Sequence, residues 1–220
     1  MTPSLRLLIL CAAASQALKP EFLKAPAASQ GLSRREILKA PAALALANLA
    51  LPAVAADTKT ISVPVGSSAK DGSPLSKATF SVPADWGKLS GDPGGGRKME
   101  LYADPNNADT NAFALITPVR GDYTSLGSFG SVEVVQDTVM PKAEDITYDV
   151  IKSEAQTGKY VYEYIVQVPE QPKRHLTTIF MVVSDCIVTF NFQAKQEDYN
   201  GDVPSLAKSV SASFKTGKAS

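Results

Sequence analysis

His175 is the only histidine in this chain of 220 residues. Imidazole is the side chain best suited to move protons or ligate metals near neutral pH. His175 leads an apolar, β-rich run to Val183, and a second such run, Cys186–Ala194, follows after Ser184-Asp185. Two such runs joined by two residues read as a β-hairpin. With Val183 opposite Cys186, His175 falls opposite Ala194, and Glu197 and Asp198 lie just beyond that end. One imidazole and two carboxylates, completed by waters, form a donor set for a weakly held divalent ion, with calcium or manganese as the candidates. The competing reading is a solvated strand-end histidine beside ordinary surface acids.

Other chemistry is poorly supplied. The same register separates Cys186 from His175 by roughly 26 Å, at about 3.3 Å per residue, so they form no nucleophile pair. No second histidine is available for a triad, and no G-x-S-x-G or phosphate-binding loop occurs. Gly94-Gly95-Gly96-Arg97-Lys98 lacks the spacing and the Ser/Thr of a P-loop and reads as a linker. The stripe Tyr160, Tyr162, Tyr164 repeats at period two, which suits the core side of a sheet more often than a binding face. The chain is therefore expected not to be an enzyme, and no cofactor is firmly implied.

The elements that position these residues follow from pattern. Thr60–Val65 reads as a short strand in an otherwise extended N-terminal arm, 57–78. Strands are expected at Thr79–Val82, Met99–Ala103, Ala112–Thr117, Asp149–Ala155 and Tyr160–Val168. Ser131 is placed to cap a helix through its hydroxyl, with Val132, Val135 and Val139 on one side and Pro141 as the stop. A last helix spans Gly201–Phe214, with Pro204 in its first turn and Leu206, Val210 and Phe214 as its buried stripe. Hairpin-like strands in succession imply an antiparallel sheet that helices cover. The expected class is α+β, a layered α/β/α sandwich.

The first quarter of the chain reads as targeting sequence. Arg6 precedes the apolar run Leu7–Ala14 and a small-residue exit, the pattern of a secretory signal peptide, 1–17. Residues 18–32 read as a short transit-like segment. Ser33-Arg34-Arg35-Glu36-Ile37-Leu38-Lys39, an Ala/Leu-rich run and the exit Ala53-Val54-Ala55-Ala56 read as a twin-arginine signal, 33–56. Two stacked signals imply at least two membrane crossings. That is the requirement of a nucleus-encoded thylakoid-lumen protein in an alga with a secondary plastid. A bacterial periplasmic protein with an over-long leader is the competing reading. Six of the 22 basic and two of the 22 acidic residues lie in 1–56, leaving 16 basic against 20 acidic in the remainder. That balance argues against nucleic acid as a partner. No later segment reaches the roughly 20 apolar residues of a membrane span, so a soluble mature domain is expected. Cys11 leaves with the leader, so Cys186 has no intrachain partner.

Four segments carry a family resemblance. They are Phe80-Ser81-Val82-Pro83-Ala84-Asp85-Trp86, Ile116-Thr117-Pro118 with Ser125–Glu133, Gly158–Tyr164, and Arg174-His175-Leu176 through Phe192-Gln193-Ala194. In this order they resemble PsbP, the extrinsic lumenal protein of photosystem II, and its PsbP-like relatives, over Thr79 to Phe214 (a domain of 79–216). The resemblance implies an antiparallel sheet with helices on both sides. It also implies a protein peripheral to the thylakoid membrane, monomeric when free, that docks on lumenal subunits of photosystem II or photosystem I. Its role would be stabilising the oxygen-evolving complex or assembling a photosystem. The alternative is a lumenal small-molecule or metal carrier. Some members place a divalent metal at this His and at an acidic residue after "Q-A", a position held here by the neutral Gln196. Tyr199 stands where the family often has Trp.

Overall fold

The computed structural model describes residues 57–66, 71–89, 93–119, 125–140 and 145–219. The targeting segments, Pro141 and part of the Gly-rich loop lie outside the described residues. Among the described residues ten strands fall in two sheets, and every pairing between them is antiparallel. In chain order they are β1 (Thr58–Val65), β2 (Ser76–Pro83), β3 (Gly87–Leu89), β4 (Lys98–Ala103), β5 (Asn111–Pro118), β6 (Thr147–Gln156), β7 (Lys159–Gln167), β8 (Arg174–Val183), β9 (Cys186–Lys195) and β10 (Lys215–Lys218). Among the described residues a 3-10 turn spans Leu126–Phe129, and two helices follow, α1 (Val132–Val139) and α2 (Val203–Ser213).

The large sheet has the order β3-β4-β5-β9-β8-β7-β6, and the small one β1-β2-β10. The β8–β9 hairpin takes the expected register, Val183 with Cys186 and His175 with Ala194. Its turn residues Ser184 and Asp185 have φ of 47° and 57°. Positive φ at both centres of a two-residue loop matches the right-handed twist of the flanking strands.

The N-terminal stretch differs from the expected arm. β1 pairs with β2 along its whole length, and alternation buries Ile61, Val63 and Val65. With Ala78, Phe80, Val82 and α2, these residues cover the face of the large sheet made by Ala112, Ala114, Val188, Phe190 and Phe192. The strand expected at Thr60–Val65 is there, extended to Thr58, but its pairing was not foreseen, because its outward positions Thr58, Thr60, Ser62 and Pro64 carry no apolar signal. On the opposite face, Tyr162, Tyr164, Val166, Leu176 and Phe180 pack with Val135, Met140, Leu126 and Phe129. The tyrosine stripe is thus core. Two of its hydroxyls also donate to backbone carbonyls at the start of α1, Tyr160 to Gly130 at 2.9 Å and Tyr162 to Val132 at 3.0 Å.

The coarse class, antiparallel sheet with a few helices, matches the expectation. The layered α/β/α sandwich is not what the layers show. One face of the large sheet is covered mainly by a second sheet with α2 beside it, and the helices supply eight and eleven residues. Two short strands, β3 and β10, were not foreseen. Ser131 precedes α1 as expected, but its side chain makes no cap bond. Its hydroxyl donates to Glu133 at 2.6 Å instead. In α2, Val210 is buried, as is Phe214 just after it, while Leu206 packs at the core margin. No helix among the described residues is long and apolar enough to cross a membrane.

Candidate functional site: the His175 corner

The start of β8, the end of β9 and the middle of β7 meet at one corner of the large sheet. His175 lies opposite Ala194 on β9 and Ile165 on β7, on the same face as Glu163, two residues along β7. The ring is 5% exposed, so its polar atoms need partners within the protein. Nδ1 lies 3.0 Å from Gln196 Oε1 and Nε2 lies 2.8 Å from Glu163 Oε1. Tyr199 stacks on the ring at a centroid distance of 3.5 Å and an interplanar angle of 8°. Its hydroxyl also bonds Glu163, and burial first, then the charge of Glu163 and that bond, push the phenol up from its ordinary pKa. Glu163 thereby joins the histidine and the tyrosine.

A second polar group adjoins it. Asp109, in the loop before β5, accepts from Arg174 Nη2 and lies 3.1 Å from Lys195 Nζ, side chains that face each other across β8 and β9. Burial acts to raise the Asp109 pKa, but the bonds and charges of Arg174 and Lys195 together outweigh it and hold the carboxyl below its ordinary value. Asp198 Oδ2 accepts from Asn107 Nδ2 at 2.9 Å. Glu197 is exposed.

The three residues expected to ligate a metal are therefore near one another in the chain's fold but differently engaged. Both ring nitrogens of His175 are taken by Gln196 and Glu163, not by Glu197 or Asp198. Among the described residues no three His, Cys, Asp or Glu side chains gather into a metal-holding group. A divalent ion does not fit the ring as it stands, since neither nitrogen points to an open coordination position. Glu163 was missed by sequence reasoning. Alternation placed it on the face opposite the tyrosines, but its neighbour across β7–β8 depends on the register set by the Pro169–Lys173 loop, which pattern does not fix. Cys186 lies at the other end of the hairpin. Burial above all raises its pKa, Gly66 N–H and Lys98 act to lower it, and Asp185 to raise it.

The arrangement is a set of buried polar links with no nucleophile–base pair, on an antiparallel α+β domain. The sequence model of the PsbP family matches residues 74–216, and the chain belongs to that family. It is 29% identical over 107 residues to PsbP domain-containing protein 3, chloroplastic, of Arabidopsis thaliana, a match covering 46% of this chain and 43% of that relative. The chain thus spans less than half the length of that relative. Among solved structures, the solution structure of cyanobacterial PsbP (CyanoP) from Synechocystis sp. PCC 6803 is similar at 20% identity with a TM-score of 0.49, over 74% of this chain and 94% of that one.

Proposed function

We propose that this protein is an extrinsic thylakoid-lumen protein that docks on a photosystem, photosystem II in the first place, as an accessory or assembly subunit. Membership of the PsbP family across residues 74–216 is the observation that carries the reading. The stacked signals of residues 1–56 support the lumen as its place, and a complex algal plastid as the compartment around it. The relative whose printed name is chloroplastic points the same way.

In this reading the His175 corner is a structural lock rather than a reaction centre. Glu163, His175, Gln196 and Tyr199 tie β7, β8, β9 and the chain before α2 into one unit. A lock of that kind keeps the outer surfaces in fixed relation, which is what a docking subunit needs. Native gel electrophoresis of solubilised thylakoids, probed with an antibody to this chain, tests the reading. Co-migration with photosystem II is expected. Migration with photosystem I alone would move the assignment to that complex. Recovery solely in the free lumenal fraction would overturn docking and favour a carrier.

A further inference from the structure

β9 is the middle strand of the large sheet, and its two faces differ in kind. Val188, Phe190, Phe192 and Ala194 belong to the core shared with the small sheet and α2. On the other face stand Thr189, Asn191 and Gln193, each at most 6% exposed. Their cross-strand neighbours are largely apolar: Leu115 beside Thr189, Phe113 beside Asn191, Leu176 beside Gln193. A polar column in such a setting costs stability unless each group finds a partner. Here several do not. Asn191 Oδ1 accepts from Thr178 Oγ1, which lies 3.2 Å from the Tyr164 hydroxyl, but Asn191 Nδ2 is unpaired. Turning the amide over exchanges the unpaired end and leaves the deficit. Asn111, opposite Gln193, donates from Nδ2 to the Ala108 carbonyl at 3.0 Å, and its Oδ1 is unpaired. Arg174, two residues before Leu176 on the same face, gives Nη2 to Asp109, while Nε and Nη1 are unpaired. Of the seven buried side-chain polar atoms without a hydrogen-bond partner among the described residues, these four share one sheet face. All four are sealed from solvent, so bulk water does not serve them.

We infer that this face of β9, with Asn111 and Arg174, is a binding site for a small organic acid that carries a hydroxyl on an apolar body. The inference goes beyond the docking reading and does not depend on it. Arg174, Asn111 and Asn191 occupy three successive rows of the sheet, a backbone span of about 13 Å at about 3.3 Å per residue. A lone ordered water cannot bridge that span, whereas a small molecule with polar groups at both ends can. At the Arg174 end two guanidinium N–H groups lack an acceptor, and a carboxylate is the acceptor that a guanidinium holds most strongly. Farther along, Asn191 Nδ2 lacks an acceptor and Asn111 Oδ1 lacks a donor. A hydroxyl supplies both. Leu176 and Phe113, between these polar groups, give the apolar wall on which such sites rely.

The probe is 4-hydroxybenzoate, titrated into the full chain and followed by nitrogen-15 NMR. Benzoate, which lacks the hydroxyl, and 4-hydroxybenzamide, which lacks the charge, are its controls. Expected are saturable shifts of the Arg174 Nε–H and the Asn191 side-chain amide, with binding at least tenfold weaker for each control. Arg174→Gln should weaken 4-hydroxybenzoate at least tenfold. So should Asn191→Leu/Thr178→Val, which should still fold, because replacing both partners by apolar groups of like size leaves neither unpaired. Where Arg174→Gln fails to fold, Arg174→Lys replaces it with the same outcomes, since it keeps a charge beside Asp109 but loses the planar set of donors. Binding that persists in the folded variants, or shifts confined to other parts of the chain, overturns the inference. No saturable shift with 4-hydroxybenzoate at millimolar concentration also overturns it and leaves the column to ordered water alone. Co-migration with a photosystem on the native gel is a separate readout, so failure of docking and failure of this site are told apart.

Discussion

At the scale of single residues, His175 shows how burial redirects a reactive side chain. An imidazole on a strand end is a metal ligand when one nitrogen faces solvent or other ligands. Here both nitrogens are taken, by Gln196 and Glu163, and Tyr199 covers one ring face. Calorimetric titration with Mn²⁺ or Ca²⁺ should therefore give the same heat for wild type and His175→Ala. A heat present in wild type and absent from the variant would restore the metal site at His175, Glu197 and Asp198. Asp109 carries a different prediction. Its folded pKa is held below its ordinary value of 3.8, so its ion pairs stabilise the fold fully above about pH 4 and lose that contribution as pH falls through the lower, folded value. Urea midpoints should place wild type above Asp109→Asn at pH 7, with the gap closing toward pH 3. A gap that stays constant across that range would show that the charge of Asp109 contributes nothing.

At the scale of elements, legibility followed the strength of local pattern. The register and turn of the β8–β9 hairpin were readable to the residue, because two long β-rich runs meet at a two-residue join. The strand β7 and its core-facing tyrosines were readable from strict alternation. β1 was readable in part, as Thr60–Val65, but its partner was not. β10, with the sequence Lys215-Thr216-Gly217-Lys218, has no apolar signal and exists because β2 offers it an open edge. Glu163 stayed hidden for the same reason, since tertiary register rather than composition brings it to His175. The element prediction concerns β1. Residues 74–216 match the family, yet Val63 and Val65 are at most 1% exposed and pair with Ala78 and Ser76 of β2. A chain starting at Pro74 should lack the dispersed methyl resonances and cooperative melt of one starting at Asp57. The single change Val63→Ala should cost about 2 kcal/mol, from two lost methyl groups and the cavity they leave. An unchanged melt in the shortened chain would mean that β1 is an appendage after all.

At the scale of the whole molecule, the question is what keeps the small sheet seated on the large one. Apolar contact between the sheets is non-directional, so position must come from polar contacts at the margin. They sit at the β8–β9 turn. Ser76 and Ser184 hydroxyls lie 2.8 Å apart, and the Gly66 N–H points at Cys186. Gly66 has φ of +66°, and a Cβ there would meet the Ser184 carbonyl at 2.9 Å. Both facts require glycine: the left-handed conformation is strained for other residues, and the neighbour is backbone, which cannot swing aside. Cys186 is 4% exposed beneath this contact, so its thiol reports whether the sheets stay closed. In the wild type, dithionitrobenzoate should label it slowly, at a rate set by opening, because burial both blocks the reagent and disfavours the thiolate. Gly66→Ala should raise the labelling rate at least tenfold. Ser76→Ala, which removes one hydroxyl pair, should raise it less. If Gly66→Ala labels no faster than wild type while its melting temperature falls, the sheets are held elsewhere and the turn is only a hairpin.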